Sequence, residues 1–292
     1  MKYSAFLRLL LISSLALSLN SFAKEKKATD PKIDDNEIRS EMGSMSRFSL
    51  SSRLSYYGGA LDDPFGAEQP NPQSYDTSGK TSMSGTFSLR YRINKMSSVT
   101  ISTGLYLQTP FAHPDKFDLS SPSIGYNFTN KFKKVLGRGY VSLKYYTDEY
   151  SHDISDKRFK LSTGYKVKVK NIIFQGLRLG LSFNTAIYSY GHSYRPGVDK
   201  YNSTLYYFNV SPSVEYKINR MFTVKTSFTI GRTNYRRFDS KTKYENNLLE
   251  QSIGLGTGFT REIYLYTYIK TYPTNYRIDT AIFGMSLNFS VF

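Results

Sequence analysis

Between Phe48 and Val291 apolar and aromatic residues recur at every second position, segment after segment, and no other feature limits the fold so strongly. Successive side chains of an extended chain point to opposite faces, so a period of two describes strands with one apolar and one polar face. The clearest row is Phe159, Leu161, Tyr165, Val167 and Val169, with Lys160, Ser162, Gly164, Lys166, Lys168 and Lys170 between them. Earlier rows run through Phe48, Leu50, Leu54 and Tyr56, then Phe87 to Ile93, Val99 to Leu107, Ile124 to Phe128 and Val141 to Tyr145. Later ones run through Leu177 to Ile187, Val214 to Ile218, Phe222 to Ile230, Leu249 to Phe259 and finally Ala281, Phe283, Met285, Leu287, Phe289 and Val291. Tyr264 to Tyr272 is apolar on both faces, which leaves its facing open. Together the rows make about 12 strands, an even number as in single-chain bacterial barrels.

The connections alternate in length. Those around residues 58–80, 109–120, 148–157, 191–203, 233–247 and 273–279 are long, polar and rich in Pro, Gly, Asn and Asp. Those around 94–97, 129–138, 171–176, 219–221 and 261–262 are short. Membrane barrels sort their loops this way, with short periplasmic turns and long extracellular loops. A soluble sandwich or lipocalin-like barrel has no reason to do so, and it would need its apolar rows inside. Two short similarities, Ser121-Pro122-Ser123-Ile124-Gly125-Tyr126 with Ser211 to Tyr216 and Tyr91 to Met96 with Tyr216 to Met221, mark strands that meet the same demands near the same turns.

The N-terminus indicates the compartment. Lys2 and Arg8 precede an apolar stretch, Leu9 to Leu19, and Ser21-Phe22-Ala23 supplies small residues for cleavage, so residues 1–23 read as a signal peptide cut after Ala23. That stretch is about 11 residues long, too short for the roughly 20 of a spanning helix. Residues 24–45 form a polar periplasmic leader, nearly charge-balanced through Lys24-Glu25-Lys26-Lys27, Asp34-Asp35, Glu37, Arg39 and Glu41, and expected to be flexible or weakly helical. Residues 46–292 remain for the barrel. The absence of cysteine excludes disulfide frameworks, thiolate zinc sites and thiol catalysis.

These features resemble a Gram-negative outer-membrane β-barrel, over about Arg47 to Phe292. Gly284, Leu287, Phe289 and the terminal Phe292 are similar to the glycine, hydrophobic and aromatic spacing by which such chains are recognised for assembly, although Ile282 stands where that signal usually has a polar residue. The resemblance implies an all-β fold, a transmembrane antiparallel up-and-down barrel in the bacterial outer membrane. It suggests small porin-like channels as the nearest group. It also implies outer-membrane lipid, lipopolysaccharide and the barrel-assembly machinery as partners.

If the apolar rows face lipid, the polar rows line the lumen. Parity then places Arg47, Arg53, Arg90, Arg92, Lys144, Lys160, Lys166, Lys168, Lys170, Arg178, Lys217 and Lys225 inside, against Glu215 and Glu250. Arg92, Lys170 and Lys217 sit at strand ends, where contact with water or lipid phosphate would be enough to explain them. Arg53, Arg90, Lys144, Lys160, Lys166, Lys168, Arg178 and Lys225 are the candidate anion-binding residues, because charges of one sign confined in a passage concentrate counter-ions. About 12 strands should leave a narrow pore, since about 8 are filled by side chains and about 16 give a wide channel. Gly164, Gly180, Gly254, Gly256 and Gly258 on the inner face would make room or mark kinks.

With Trp absent, Tyr56, Tyr145 and Tyr206 near one set of strand ends and Tyr91, Tyr126 and Tyr216 near the other are placed for two aromatic belts. The three histidines, His113, His152 and His192, fall in or beside long loops. A rim hydrolase is a third choice of function, because His192 and Ser193 are immediate neighbours and would point to opposite faces. No metal site or cofactor is expected. Nucleic acid is not an expected partner, because basic residues alternating with a lipid-facing row are unavailable to a groove. The expected function is a narrow anion-preferring passive channel for small polar or acidic solutes. The alternative is a structural or adhesive barrel acting through its loops, with the loop over 58–80 as a ligand-facing surface or plug.

Overall fold

The computed structural model describes residues 33–70, 79–112, 116–148, 152, 156–192, 204–235, 245–273 and 276–291. The expected signal peptide, its cleavage site and Phe292 lie outside these residues. Twelve strands close into a barrel in which each neighbour in sequence is also the neighbour in space. They are β1 (Phe48–Ala60), β2 (Ser82–Asn94), β3 (Ser97–Gln108), β4 (Lys116–Phe132), β5 (Val135–Tyr145) and β6 (Lys157–Lys170), then β7 (Leu177–Tyr190), β8 (Thr204–Lys217), β9 (Phe222–Tyr235), β10 (Glu245–Gly258), β11 (Ile263–Thr271) and β12 (Ile282–Val291). A two-residue pair, Glu68–Gln69 with Gly79–Lys80, lies in the first long loop. β12 closes on β1 in continuous antiparallel register from Leu50↔Val291 to Tyr57↔Gly284. Gly284, Leu287 and Phe289 thus lie in the strand that seals the ring.

Exposure follows the alternation. Ile101, Ile124, Ile187, Ile230 and Ile253 are among the most exposed apolar side chains, while Lys168, Arg178 and Glu215 are buried. This inverts the usual globular pattern, as expected of a wall with an apolar exterior and a polar interior. Tyr126, Tyr145, Tyr206 and Tyr216 stand out from it as the belts require. Tyr56 does not. The residue is 2% exposed, its ring packed edge-on against Phe111 at 4.9 Å and beside Phe65 at 6.0 Å, and its hydroxyl donates to Pro64 O. The first long loop folds back over it.

Three expectations are corrected locally. β4 starts at Lys116 and reaches Phe132, and β5 starts at Val135, so the connections are shorter at both ends than 109–120 and 129–138. β4 accommodates its length through a bulge, where register shifts opposite Ser102 and Gly104 and Ser121 takes φ 58. Arg47 precedes β1, so strand parity does not govern it. Its guanidinium donates to Tyr91 Oη at 2.7 Å and lies over that ring, outside the lumen.

The leader differs most from expectation. From Ile33 on it lies inside the barrel and forms a helix, α1 (Asn36–Met42), packed near β10, β11 and β12. Asp35 caps its start, Oδ1 accepting from Ile38 N at 2.9 Å, and Gly43 ends it at φ 67 with its N–H shared between Arg39 O and Ser40 O. A seven-residue helix is too short to persist alone in water. Its two faces explain why it forms here. Ile38 and Met42, one turn apart, join Ile33 in an apolar cluster against Met96 and Leu136. Glu37 and Glu41, also one turn apart, face the basic wall.

Candidate functional site

Strand parity points the Lys and Arg rows of β1, β2, β5, β6, β7 and β9 at the short-turn half of the lumen, and α1 presents carboxylates to them. Lys168 Nζ lies 2.7 Å from Glu37 Oε2, 3.1 Å from Asp35 Oδ2 and 2.8 Å from Glu215 Oε1. Arg178 Nη1 is 3.1 Å from Asp35 Oδ2. Glu37 also meets Lys166 at 2.9 Å and Lys225 at 3.3 Å. Glu41 takes Arg53 at 2.6 Å, Arg138 at 2.9 Å and Lys166 at 3.5 Å. The helix end is held through its backbone. Arg90 donates to Met42 O at 2.5 Å, Arg92 to Met42 O at 2.9 Å and also to Ser44 O, and Arg138 to Glu41 O at 2.8 Å. Lys170 and Lys217 reach Asp34, at its carboxylate and its carbonyl. Arg92, Lys170 and Lys217 therefore hold the leader.

Burial on its own would disfavour the ionised form of Glu41. Lys166, Arg53 and Arg138 outweigh it and hold the carboxyl at about 2. The same balance lowers Asp35 and Glu37 in their settings. Buried charges require partners on this scale, because an uncompensated ion in the lumen wall is costly.

Of the residues predicted from sequence, Arg53, Arg90, Lys166, Lys168, Arg178 and Lys225 converge on this segment. Lys144 and Lys160 do not. They stand nearer the long-loop end, directly opposite each other on β5 and β6. With Lys157 they lie over tyrosine rings: Lys144 on Tyr146 at 5.2 Å, Lys160 on Tyr188 at 5.4 Å and Tyr207 at 5.5 Å, Lys157 on Tyr188 at 5.9 Å. Asp148, just past the end of β5, is the acid whose charge acts on Lys144 and Lys157. Sequence reasoning missed Arg138, assigned to a turn, and the carboxylates Asp34, Asp35, Glu37 and Glu41.

Between these regions lies a cavity of about 510 Å³, bounded by Ser40 and Glu41 of the inner segment. Its wall carries cross-strand serines. Ser51 faces Ser88, Ser88 faces Ser102 and Ser102 faces Ser123 across β1 to β4. Ser213, Ser227 and Ser252 continue the pattern across β8 to β10. Ser88 and Ser102 bond at 2.7 Å, and Ser227 and Ser252 at 2.8 Å.

Gly164, Gly254 and Gly256 make room for tyrosines, whereas Gly180 stands against Ser213 and Gly258 against Asn36 of α1. Gly254, Gly256 and Gly258 pair with Tyr268, Tyr266 and Tyr264, which settles the facing of β11: Tyr264, Tyr266, Tyr268 and Lys270 point inward. A Cβ on Gly254 would stand 2.7 Å from the Tyr268 Cβ, and one on Gly256 would strike Tyr264. Gly164 leaves space for Tyr140 in the same way.

At the long-loop rim His192 Nδ1 contacts Asp156, which also pairs with Arg158 at 2.6 Å, and Arg158 contacts His152. Arg158 and His192 hold the Asp156 carboxyl below its ordinary value, against the opposing effect of burial. His113 and Ser193 lie outside the described residues. Among the described residues no group of three or more His, Asp or Glu side chains is placed to hold a metal.

A closed up-and-down barrel with an apolar exterior and a charged lumen defines the class: the chain has the outer-membrane β-barrel fold. No protein-family model and no curated protein matches its sequence. Among solved structures it is similar to an outer-membrane channel from Pseudomonas putida, at 10% identity and TM-score 0.56, covering 90% of this chain and 99% of that one. The NanC porin (11% identity, TM-score 0.44) and the KdgM porin (6% identity, TM-score 0.43) are also similar, covering 83% and 84% of this chain and 98% of each of theirs.

Proposed function

We propose that the protein is a narrow passive channel of the bacterial outer membrane that prefers anions and carries small polar or acidic solutes. One observation carries the reading. Lys144 and Lys160 oppose each other across β5 and β6, with Lys157 beside them, all three over tyrosine rings, and Asp148 acting on Lys144 and Lys157 from the strand end. Like charges placed opposite each other on a sheet are unfavourable, and an anion arriving from outside relieves them. The hydroxyl-lined cavity beyond offers hydrogen bonds to any polar solute. Anion preference rests on this outer cluster, because the inner basic residues are largely engaged by the leader, through its carboxylates and its backbone carbonyls. The test is the reversal potential of the purified protein in a planar bilayer under a salt gradient. A value on the anion side supports the reading, cation preference overturns the charge argument, and a barrel that never conducts, even without its inner segment, is no channel.

A further inference from the structure

The inner segment, residues 33–46, fills the short-turn half of the lumen without belonging to the barrel wall. Every barrel strand is paired on both sides by other barrel strands, and the β1–β12 seam closes through its own ladder. Removing the segment would break no ladder hydrogen bond. Its attachment is largely ionic: Asp34, Asp35, Glu37 and Glu41 against Lys170, Arg178, Lys168, Lys166, Lys225, Arg53 and Arg138. The apolar contribution is one small cluster around Ile38. Continuity with the wall runs only through residues 43–47, where Gly43 adopts the left-handed backbone that ends the helix.

Arg138 and Lys166 are direct cross-strand neighbours, as are Lys170 and Arg178. Among the described residues Glu215 is the one wall carboxylate that pairs with this cluster. Such a wall calls for carboxylates, and the chain supplies them from a tethered segment.

We propose that residues 33–46 are an exchangeable internal plug, seated in a lumenal cradle that also accepts a separate acid-rich peptide from the short-turn side, and that displacement of the plug opens the pore. The proposal rests on the channel reading above. The emptied cradle would be solvated by water and counter-ions entering the lumen, a route a dry protein core lacks. Its binding is electrostatic and therefore sensitive to salt.

The chain has no cysteine, so an engineered pair gives an unambiguous lock. A Cβ built on Gly258 lies 3.0 Å from the Asn36 Cβ, close enough for a disulfide after a small shift of α1. In the full-length N36C/G258C protein, the oxidised channel should hold a low conductance without openings, and reduction should restore parental behaviour. A barrel lacking residues 33–46 should conduct several-fold more than the parent. A synthetic peptide of residues 33–46, added on the short-turn side, should block it, with an apparent affinity that falls steeply with salt. The same peptide with Asp34, Asp35, Glu37 and Glu41 changed to Asn or Gln should not. Anisotropy of the labelled peptide on the deleted barrel in detergent reads binding without conductance.

Equal conductance in the parent, locked and deleted proteins, or no peptide binding, overturns the plug. Peptide binding to a barrel that never conducts overturns the channel reading and supports the cradle. If the deleted barrel does not assemble, full-length E37Q/E41Q takes its place, and conductance unchanged from the parent overturns the proposal.

Discussion

Arg138 and Lys166 face each other across β5 and β6, and Glu41 of the inner helix sits between them, 2.9 Å from Arg138 Nε and 3.5 Å from Lys166 Nζ. Further along the same two strands Lys144 and Lys160 face each other, and among the described residues no leader carboxylate sits between them. The contrast sets an inner half, where the leader engages the basic wall, against an outer one, where Lys144 and Lys160 lie over tyrosine rings and Lys270 pairs with Glu250.

The division predicts different outcomes for charge reversal in the two halves. Lys144→Glu with Lys160→Glu should move the reversal potential toward cations while leaving single-channel conductance of the same order. Lys166→Glu with Lys168→Glu should instead expel the inner segment, because it sets new carboxylates against Glu37 and Glu41. Its signature is a change in conductance, read in the same bilayer. Equal selectivity shifts from both pairs would contradict the division.

Lys168 meets three carboxylates, from Asp35, Glu37 and Glu215. Replacing it with Met leaves them facing one another in a buried setting, where breaking a pair costs about 3–5 kcal/mol. The K168M protein should lose protection of residues 33–46 against protease while keeping its heat-modifiable barrel mobility on gels. Unchanged protease resistance would mean the other ion pairs suffice.

Glu41 contributes to the response to acid, with Asp35 and Glu37 beside it. Its carboxyl is held at about 2, below its ordinary 4.5, with Lys166, Arg53 and Arg138 outweighing burial and the nearby Glu37. A group depressed in the folded state contributes stability that is complete above its ordinary value and is lost as pH falls through the depressed one. Conductance should therefore be the same at pH 7 and pH 5 as far as Glu41 is concerned, and rise only as pH approaches about 2. Glu41→Gln should shrink that low-pH change, leaving the part that Asp34, Asp35 and Glu37 contribute. A rise already complete at pH 4 would show that Glu41 is not held by these cations.

Tyr264 and Tyr268 fit because Gly256 and Gly254 carry no side chain against them. Gly256→Val puts a branched side chain into Tyr264 and should destabilise the barrel by about 1–3 kcal/mol, the usual cost of overpacking. Pairing it with Tyr264→Ala should restore much of the loss. The check is the fraction folded in urea by tyrosine fluorescence and gel mobility, and a double variant no better than the single would disprove the steric account.

The wall was legible because a strand declares its facing residue by residue. Phe159 to Lys170 alternates so cleanly that the inward lysines follow from sequence alone. β11 did not, since Tyr264, Tyr266 and Tyr268 are amphipathic and suit either face. Only the glycines paired opposite them decide the matter. The inner helix was illegible for another reason. Averaged with Lys24-Glu25-Lys26-Lys27, the stretch looks charge-balanced, whereas Asp34 to Glu41 alone is acidic and complements a wall assembled from residues 53 to 225. Complementarity of that kind exists only once the barrel closes. Arg138 was lost with its strand boundary, because the basic residues before it in the turn gave no sign that β5 had already begun.

The junction at residues 43–47 joins α1 covalently to the start of β1. A segment so tethered cannot be lost by dilution; its local concentration at the cradle is on the order of millimolar, as for any short flexible link. A monovalent anion passing at micromolar levels leaves it seated. A competitor must be concentrated or carry several carboxylates at once, so the tether sets a threshold as well as a position.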